Sequence, residues 1–270
     1  MADPLIKVEG LSKLFPASSS LLRGSQSFVH AVDDVSFELV PGESLGLVGE
    51  SGCGKTTIGK LLVKLLEPTE GRILFRESDS DSQSPEEGDS EDFLDLAAIK
   101  GKQVKAFRRR AQMIFQDPYE SMNPRRTIFD TVAEPLSVQG LGSNLDRLDW
   151  VTRLLELVGL TPPQTYLFRY PHELSGGQRQ RVAIARALVI DPIFVVADEP
   201  TSMLDVSIRT GIINLMLDLA QRLNITYLYV THDLAVARYM CQRVAVMYLG
   251  KIVEVGETER VHVELQKRLP

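Results

Sequence analysis

The sequence holds little that would staple, anchor or metallate a chain. Only two of its 270 residues are cysteine, Cys53 and Cys241. That is too few for a disulfide framework, and their placement matches no metal-ligand spacing, which fits a reducing compartment. No stretch of eighteen apolar residues occurs, so none is long enough to span a bilayer as a helix. The opening Met1-Ala2-Asp3-Pro4 lacks the basic segment and apolar run of a secretory leader. Net charge is −6 and no long basic block is present, which argues against nucleic acid as the main partner. Against these absences stands a hydrophobic content of 44%. At this length it supplies the core of one large α/β domain or two small ones.

Two short phosphate-holding stretches then dominate the reading. The first is Gly49-Glu50-Ser51-Gly52-Cys53-Gly54-Lys55-Thr56, followed by Thr57. It is entered from an apolar run at residues 44–48, which reads as a buried strand. It leaves into an apolar stripe, Ile58, Leu61, Leu62, Leu65 and Leu66, at helical spacing from Lys55 to Leu66. Strand, glycine loop and helix start are the context a Walker A motif requires. Gly49, Gly52 and Gly54 let backbone N–H groups close on phosphate, and the helix N-terminus adds donors and a favourable dipole. Lys55 is expected to reach the β- and γ-phosphates, and the Thr56 hydroxyl to ligate Mg²⁺. Cys53 reads as a small loop residue whose backbone matters.

Three more strand ends deliver polar groups. Residues 193–197 form a continuous apolar run suited to a central parallel strand, ending in Asp198-Glu199-Pro200. Asp198 is expected to help hold Mg²⁺ and Glu199 to polarise the attacking water. Residues 225–230 are a similar run ending in Thr231-His232-Asp233, with His232 a candidate for contact with the γ-phosphate or the water. Gln116 follows Met113-Ile114-Phe115; its amide can ligate Mg²⁺ and water, although a loop glutamine is by itself most often only solvated.

The second stretch, Leu174-Ser175-Gly176-Gly177-Gln178, precedes a strong helical pattern through Leu188. Taken alone it reads first as a Ser-capped helix with flexible glycines before it; the other reading is a second helix N-terminus able to donate to phosphate. With this motif the chain resembles the ATP-binding subunits of ABC transporters over residues 5–256. Leu174 to Gln178 matches the signature, Ile193 to Glu199 Walker B, Gln116 the Q-loop and His232 the switch histidine. Ser202-Met203-Leu204-Asp205 resembles the D-loop, with Met203 where alanine is usual. Gly49 to Lys55, Phe115 to Tyr119, Ser121 to Arg125 and Tyr170 to Glu173 are similar to the oligopeptide, dipeptide and nickel importers, and within them to the F-type subunit of peptide permeases.

The resemblance implies an α/β fold: a P-loop NTPase core with an antiparallel β layer and an inserted helical subdomain. It implies one domain over residues 1–256, with core and β layer at 1–117 and 182–256 and the helical part at 118–181. It implies a head-to-tail pair of ATP-binding subunits, homo- or heterodimeric, in which Ser175, Gly176, Gly177, Gln178 and Asp205 face the partner's ATP. Phe15 is the matching place for an adenine-stacking aromatic, with Phe28 or His30 as alternatives beside an inserted segment at 17–28. The partners implied are transmembrane permease subunits and, indirectly, an extracytoplasmic solute-binding protein; the place is the cytoplasmic face of the membrane. The loop from Gln116 to Arg125, through Tyr119, Met122 and Pro124, is expected to pass work to the permease. A soluble ABC-type ATPase of DNA repair or translation is the alternative, and a non-hydrolysing nucleotide sensor a third. Residues 77–92 are acidic and low in complexity, and read as a solvated insertion. Residues 5–9 and 31–39 read as strands of an antiparallel β layer. The basic residues of 97–110 read as the exposed face of a helix. Residues 257–270 read as a tail without the subfamily's usual continuation, either cut short or belonging to a member that lacks that region.

Overall fold

The structure, a computed structural model, describes residues 3–17, 27–76, 93–119 and 121–268. The acidic stretch 77–92 and most of the inserted segment lie outside the described residues. In chain order the elements are β1 (Ile6–Pro16), β2 (Phe28–Leu39), β3 (Ser44–Gly49), α1 (Lys55–Leu62), β4 (Glu70–Arg76), β5 (Phe93–Asp95), α2 (Lys102–Arg110) and β6 (Ala111–Ile114). Then come α3 (Ile128–Gln139), α4 (Asn144–Leu157), α5 (Gly176–Leu188), β7 (Phe194–Asp198), α6 (Val206–Leu223), β8 (Thr226–Thr231), α7 (Leu234–Met240), β9 (Arg243–Tyr248), β10 (Lys251–Glu257) and α8 (Thr258–Arg268).

The chain divides into two compact units, residues 1–104 with 230–270, and residues 105–229. In the first, β2, β1, β4 and β5 form an antiparallel sheet in that order, and β10, β9 and β3 lie side by side. β3 runs parallel to β9, Leu47 opposite Ala245, while β9 and β10 make an antiparallel hairpin. Residues 44–48 of β3 are all buried, as a strand covered on both faces requires. The antiparallel layer carries its apolar residues inward at alternate positions, Ile6 and Val8 on β1 and Val35, Phe37 and Leu39 on β2.

In the second unit β6 and β7 pair in parallel, Met113 opposite Val196, with β8 beside β7. All five residues of β7 are buried, and each large apolar side chain so placed contributes roughly 1.5–3 kcal/mol. Helices α3, α4 and α5 each begin with a capping box: Thr127 with Asp130, Ser143 with Asp146, and Ser175 with Gln178. Each hydroxyl accepts a first-turn N–H, an arrangement worth about 1 kcal/mol per helix start.

Three local expectations are corrected. Helix α1 stops at Leu62, not Leu66, because Lys64 takes a left-handed backbone with φ 55. The amides of Leu65 and Leu66 then turn back to the Lys60 carbonyl, leaving Leu65 exposed. Helix α2 starts only at Lys102; Leu96 and Ile99 are buried before it, and Phe107 is its one buried residue. Strand β1 continues past Glu9 to Pro16, crossing register shifts that keep it paired with β2 as far as Phe28. After β10 the chain forms α8, where the Thr258 hydroxyl donates to Cys241 O at 2.7 Å and Val261 is buried.

Candidate nucleotide site

The glycine loop lies in the first unit, between the end of β3 and the start of α1. Gly54 is the N-cap of α1 with φ 110, and no side chain caps this helix start. The contrast with α3, α4 and α5 is informative, since each of those closes its first turn with its own hydroxyl. Beneath the loop Lys55 is buried at 4% exposure, its ammonium donating to Gly49 O and Glu50 O, both at 2.7 Å. A buried ammonium beside an uncapped helix N-terminus is an anion-attracting arrangement, and two loop carbonyls hold the charge in place. Glu50, Ser51 and Gly52 are exposed, while Thr56 and Thr57 are half-buried. Cys53 is buried; its N–H donates to Glu50 O and its carbonyl accepts from Gly250 N at 3.0 Å, so its backbone braces the loop.

The same unit carries His232 at the end of β8, exposed. Beside it Asp233 caps α7, its carboxylate accepting from Ala235 N and Val236 N, and its own N–H donating to Thr231 Oγ1. This brace fixes the backbone on both sides of His232; sequence reasoning missed it, although an aspartate directly before a helical pattern is a capping signal. Phe15 is half-buried on β1 opposite Val29, with the Lys13 ammonium 5.3 Å from its ring centre. Phe28 and His30 are exposed on β2. Burial pushes the Cys241 thiol far above its ordinary range, with the charge of Glu43 adding to it, so this cysteine is an inert core residue.

In the second unit β7 ends in Asp198, buried at 3% exposure, and Glu199, half-buried. Glu199 has φ 43, a left-handed backbone unusual for a residue with a side chain. It is held there by Ser202, whose N–H and hydroxyl both donate to Glu199 O, at 3.1 and 3.0 Å. Gln116 Nε2 donates to Glu199 Oε2 at 3.5 Å. Two candidates separated by 83 positions are thus brought together.

The signature also lies in this unit. Ser175 is the N-cap of α5, its hydroxyl accepting from Gln178 N at 3.3 Å while Gln178 Oε1 accepts from Ser175 N at 3.0 Å. Gly177 is buried, and a Cβ there would meet Ile208 Cγ2 at 2.6 Å, so glycine is what lets α5 seat against α6. Gly176 remains half-buried and Ser175 exposed. Asp205 is the exposed N-cap of α6 and makes no side-chain cap bond. In the loop after Gln116, Tyr119 and Pro124 are exposed, whereas Met122 is buried and adds nothing to an apolar surface.

The ABC transporter family model matches residues 32–202. The chain belongs to the ABC transporter family. It is an ATP-binding cassette and an ATPase. Among curated relatives it is 46% identical, over 97% of its length and 75% of theirs, to a putative peptide import ATP-binding protein of Brucella ovis. It is 49% identical to the glutathione import ATP-binding protein GsiA of Escherichia coli, over 96% of this chain but 39% of that one. Among solved structures it is similar to a dimeric, post-hydrolysis ATP-binding cassette, MJ0796, bound to ADP and phosphate. There the TM-score is 0.76 and the identity 26%, over 94% of this chain and 98% of that one. The mixed α/β cassette with an antiparallel layer is therefore the family's fold.

Proposed function

We propose that this cassette is the ATP-hydrolysing subunit of an importer for peptides or related small solutes. The observation that carries the chemistry is the carboxylate of Glu199, directly after a fully buried strand and hydrogen-bonded to Gln116. The import reading is supported by relatives of similar sequence whose names state peptide and glutathione import.

In this reading the loop Gly49–Thr57 wraps the phosphates of ATP. Lys55 shifts one of its donors from a loop carbonyl to a phosphate oxygen, a short move because the ammonium is already buried and oriented. By chemistry alone, the Thr56 hydroxyl of the first unit and, in the second, the Gln116 amide oxygen and the Asp198 carboxylate are hard oxygens of the kind Mg²⁺ takes. Such an ion, when bound, neutralises charge on the phosphates. Glu199 accepts the proton of the attacking water, and His232 stabilises the transferred phosphoryl group. Phe15 supplies the aromatic face for adenine.

Ser175, Gly176, Gly177, Gln178 and Asp205 complete the site of a second cassette, so the working unit is a dimer. The helical part at 118–181 is the subdomain inserted in a core formed by 1–117 and 182–256. Permease subunits take up the motion at the cytoplasmic face of the membrane, with a solute-binding protein acting from the far side. The test is phosphate release by the purified chain with MgATP, with and without double-stranded DNA. Hydrolysis indifferent to DNA, together with co-purification of membrane subunits, is the expected result. Strong stimulation by DNA with no membrane partner would contradict the import reading.

A further inference from the structure

Helix α5 carries two arginines that the hydrolytic chemistry does not use. Arg179 and Arg186 are seven residues apart, two helical turns, and so lie on one face of the helix. Both reach the loop that follows Gln116. The Arg179 guanidinium lies 5.4 Å from the ring centre of Tyr119, and its Nη1 donates to Leu174 O at 2.5 Å and to Pro171 O at 3.5 Å. One side chain thus joins the loop to the residue that directly precedes Ser175. Arg186 Nη1 donates to Ser121 O at 2.8 Å, and its Nη2 meets Glu134 Oε2 at 2.7 Å. The other oxygen of Glu134 accepts from Arg126 Nη1 at 2.6 Å, at the far end of the same loop.

The loop is itself braced. Asp117 Oδ1 accepts from Tyr119 N at 2.7 Å, the Ser121 hydroxyl donates to Pro118 O, and Asn123 Oδ1 accepts from Arg125 N at 3.0 Å. Each contact alone is weak, since Arg186 and Glu134 retain 30% and 36% side-chain exposure and Arg126 45%. Their arrangement is what counts: two anchors two turns apart on a rigid helix fix the loop against rotation as well as translation, which one anchor cannot do.

We propose that Arg179 and Arg186 are positioning residues that fasten residues 117–119 and 121–126 of this loop to helix α5, so that any displacement of the loop is transmitted to the Ser175 helix start. Its value for transport rests on the reading above, in which the loop faces the permease and Ser175 the partner's ATP. The mechanical claim does not, and its test uses neither.

Amide hydrogen exchange on the full chain, without nucleotide or partner, measures the linkage. Tyr119 is exposed and lies outside the core, so Tyr119→Ala leaves the fold intact. It is expected to speed exchange at residues 174–178 about two- to five-fold, with α4 unchanged. Tyr119→Phe keeps the ring over the guanidinium and is expected to exchange as the parent does. Arg186→Gln is expected to speed exchange in residues 121–126 and in 174–178 together, by about ten-fold. Exchange at 174–178 that stays at the parent rate in Tyr119→Ala, or an Arg186→Gln effect confined to the loop, would overturn the proposal. Should Arg186→Gln lower the melting point markedly, the Tyr119 pair decides alone.

Discussion

Glu199→Gln is expected to lower kcat for ATP hydrolysis by about 10³-fold, within the range seen when a general base is lost. ATP affinity should stay within about two-fold of the parent, because the substitution is nearly isosteric. Glutamine keeps an oxygen that can accept from Gln116 Nε2, and the backbone turn set by Ser202 is untouched. What disappears is only the basic oxygen. A phosphate-release assay paired with equilibrium nucleotide binding separates the two quantities. A variant that hydrolyses at more than a tenth of the parental rate would remove Glu199 from the role of base. A loss of binding in step with hydrolysis would point instead to a disturbed site.

Gly54→Ala is expected to be the most damaging small substitution in the glycine loop. An added Cβ would lie 2.0 Å from the Ala31 carbonyl oxygen and 2.7 Å from Met247 Cε, at a residue with φ 110. A backbone oxygen cannot step aside as a flexible side chain can. The clash and the conformational strain together should cost about 3–5 kcal/mol of stability, with loss of ATP binding. Gly52 provides the control. It has φ 81, but a Cβ added there would meet nothing within 4 Å, so Gly52→Ala costs only the backbone strain of roughly 1–2 kcal/mol. Urea denaturation of both variants measures the difference. Equal midpoints would show that close approach to Ala31 is not what requires glycine at position 54.

The parts of this protein most legible in the sequence are those dictated by local physics. Strands β3 and β7 announce themselves as continuous apolar runs because both of their faces are buried. The start of α5 is written in Ser175 and Gln178, a hydroxyl and an amide three residues apart that satisfy each other's backbone. The glycine loop follows from its place between strand and helix. Where the sequence misleads, a tertiary constraint has overridden a local pattern. The apolar stripe of α1 runs on through Leu65 and Leu66, but the left-handed turn at Lys64 ends the helix first. Strand β1 is longer than its apolar segment because pairing on both edges, to β2 and β4, carries polar residues such as Ser12 and Lys13 along.

The long-range side-chain contacts are the least legible. Arg179 and Tyr119 stand sixty positions apart, and Arg186 reaches Ser121 across 65. An arginine on a helix has many carbonyls within its reach, and no spacing rule says which it will choose. The contact between Gln116 and Glu199 is of the same kind, for it forms only because β6 and β7 run parallel as neighbours and end together. His232 could be located at a strand end, and the Asp233 cap that steadies it had its own signal, an aspartate directly before the helical pattern of α7.

The central claim is that one nucleotide is clasped by two cassettes, with the Ser175 end of each closing the glycine loop of the other. The most direct measurement is sedimentation velocity of the Glu199→Gln chain with MgATP, alone and mixed with its natural partner cassette, beside the same chain carrying Ser175→Arg as well. ATP should convert the first to a dimer and leave the second monomeric, because in the proposed shared site an arginine would stand where the small Ser175 hydroxyl caps α5. A Glu199→Gln chain that stays monomeric with ATP in both settings, or a Ser175→Arg chain that dimerises as readily, would contradict the shared site.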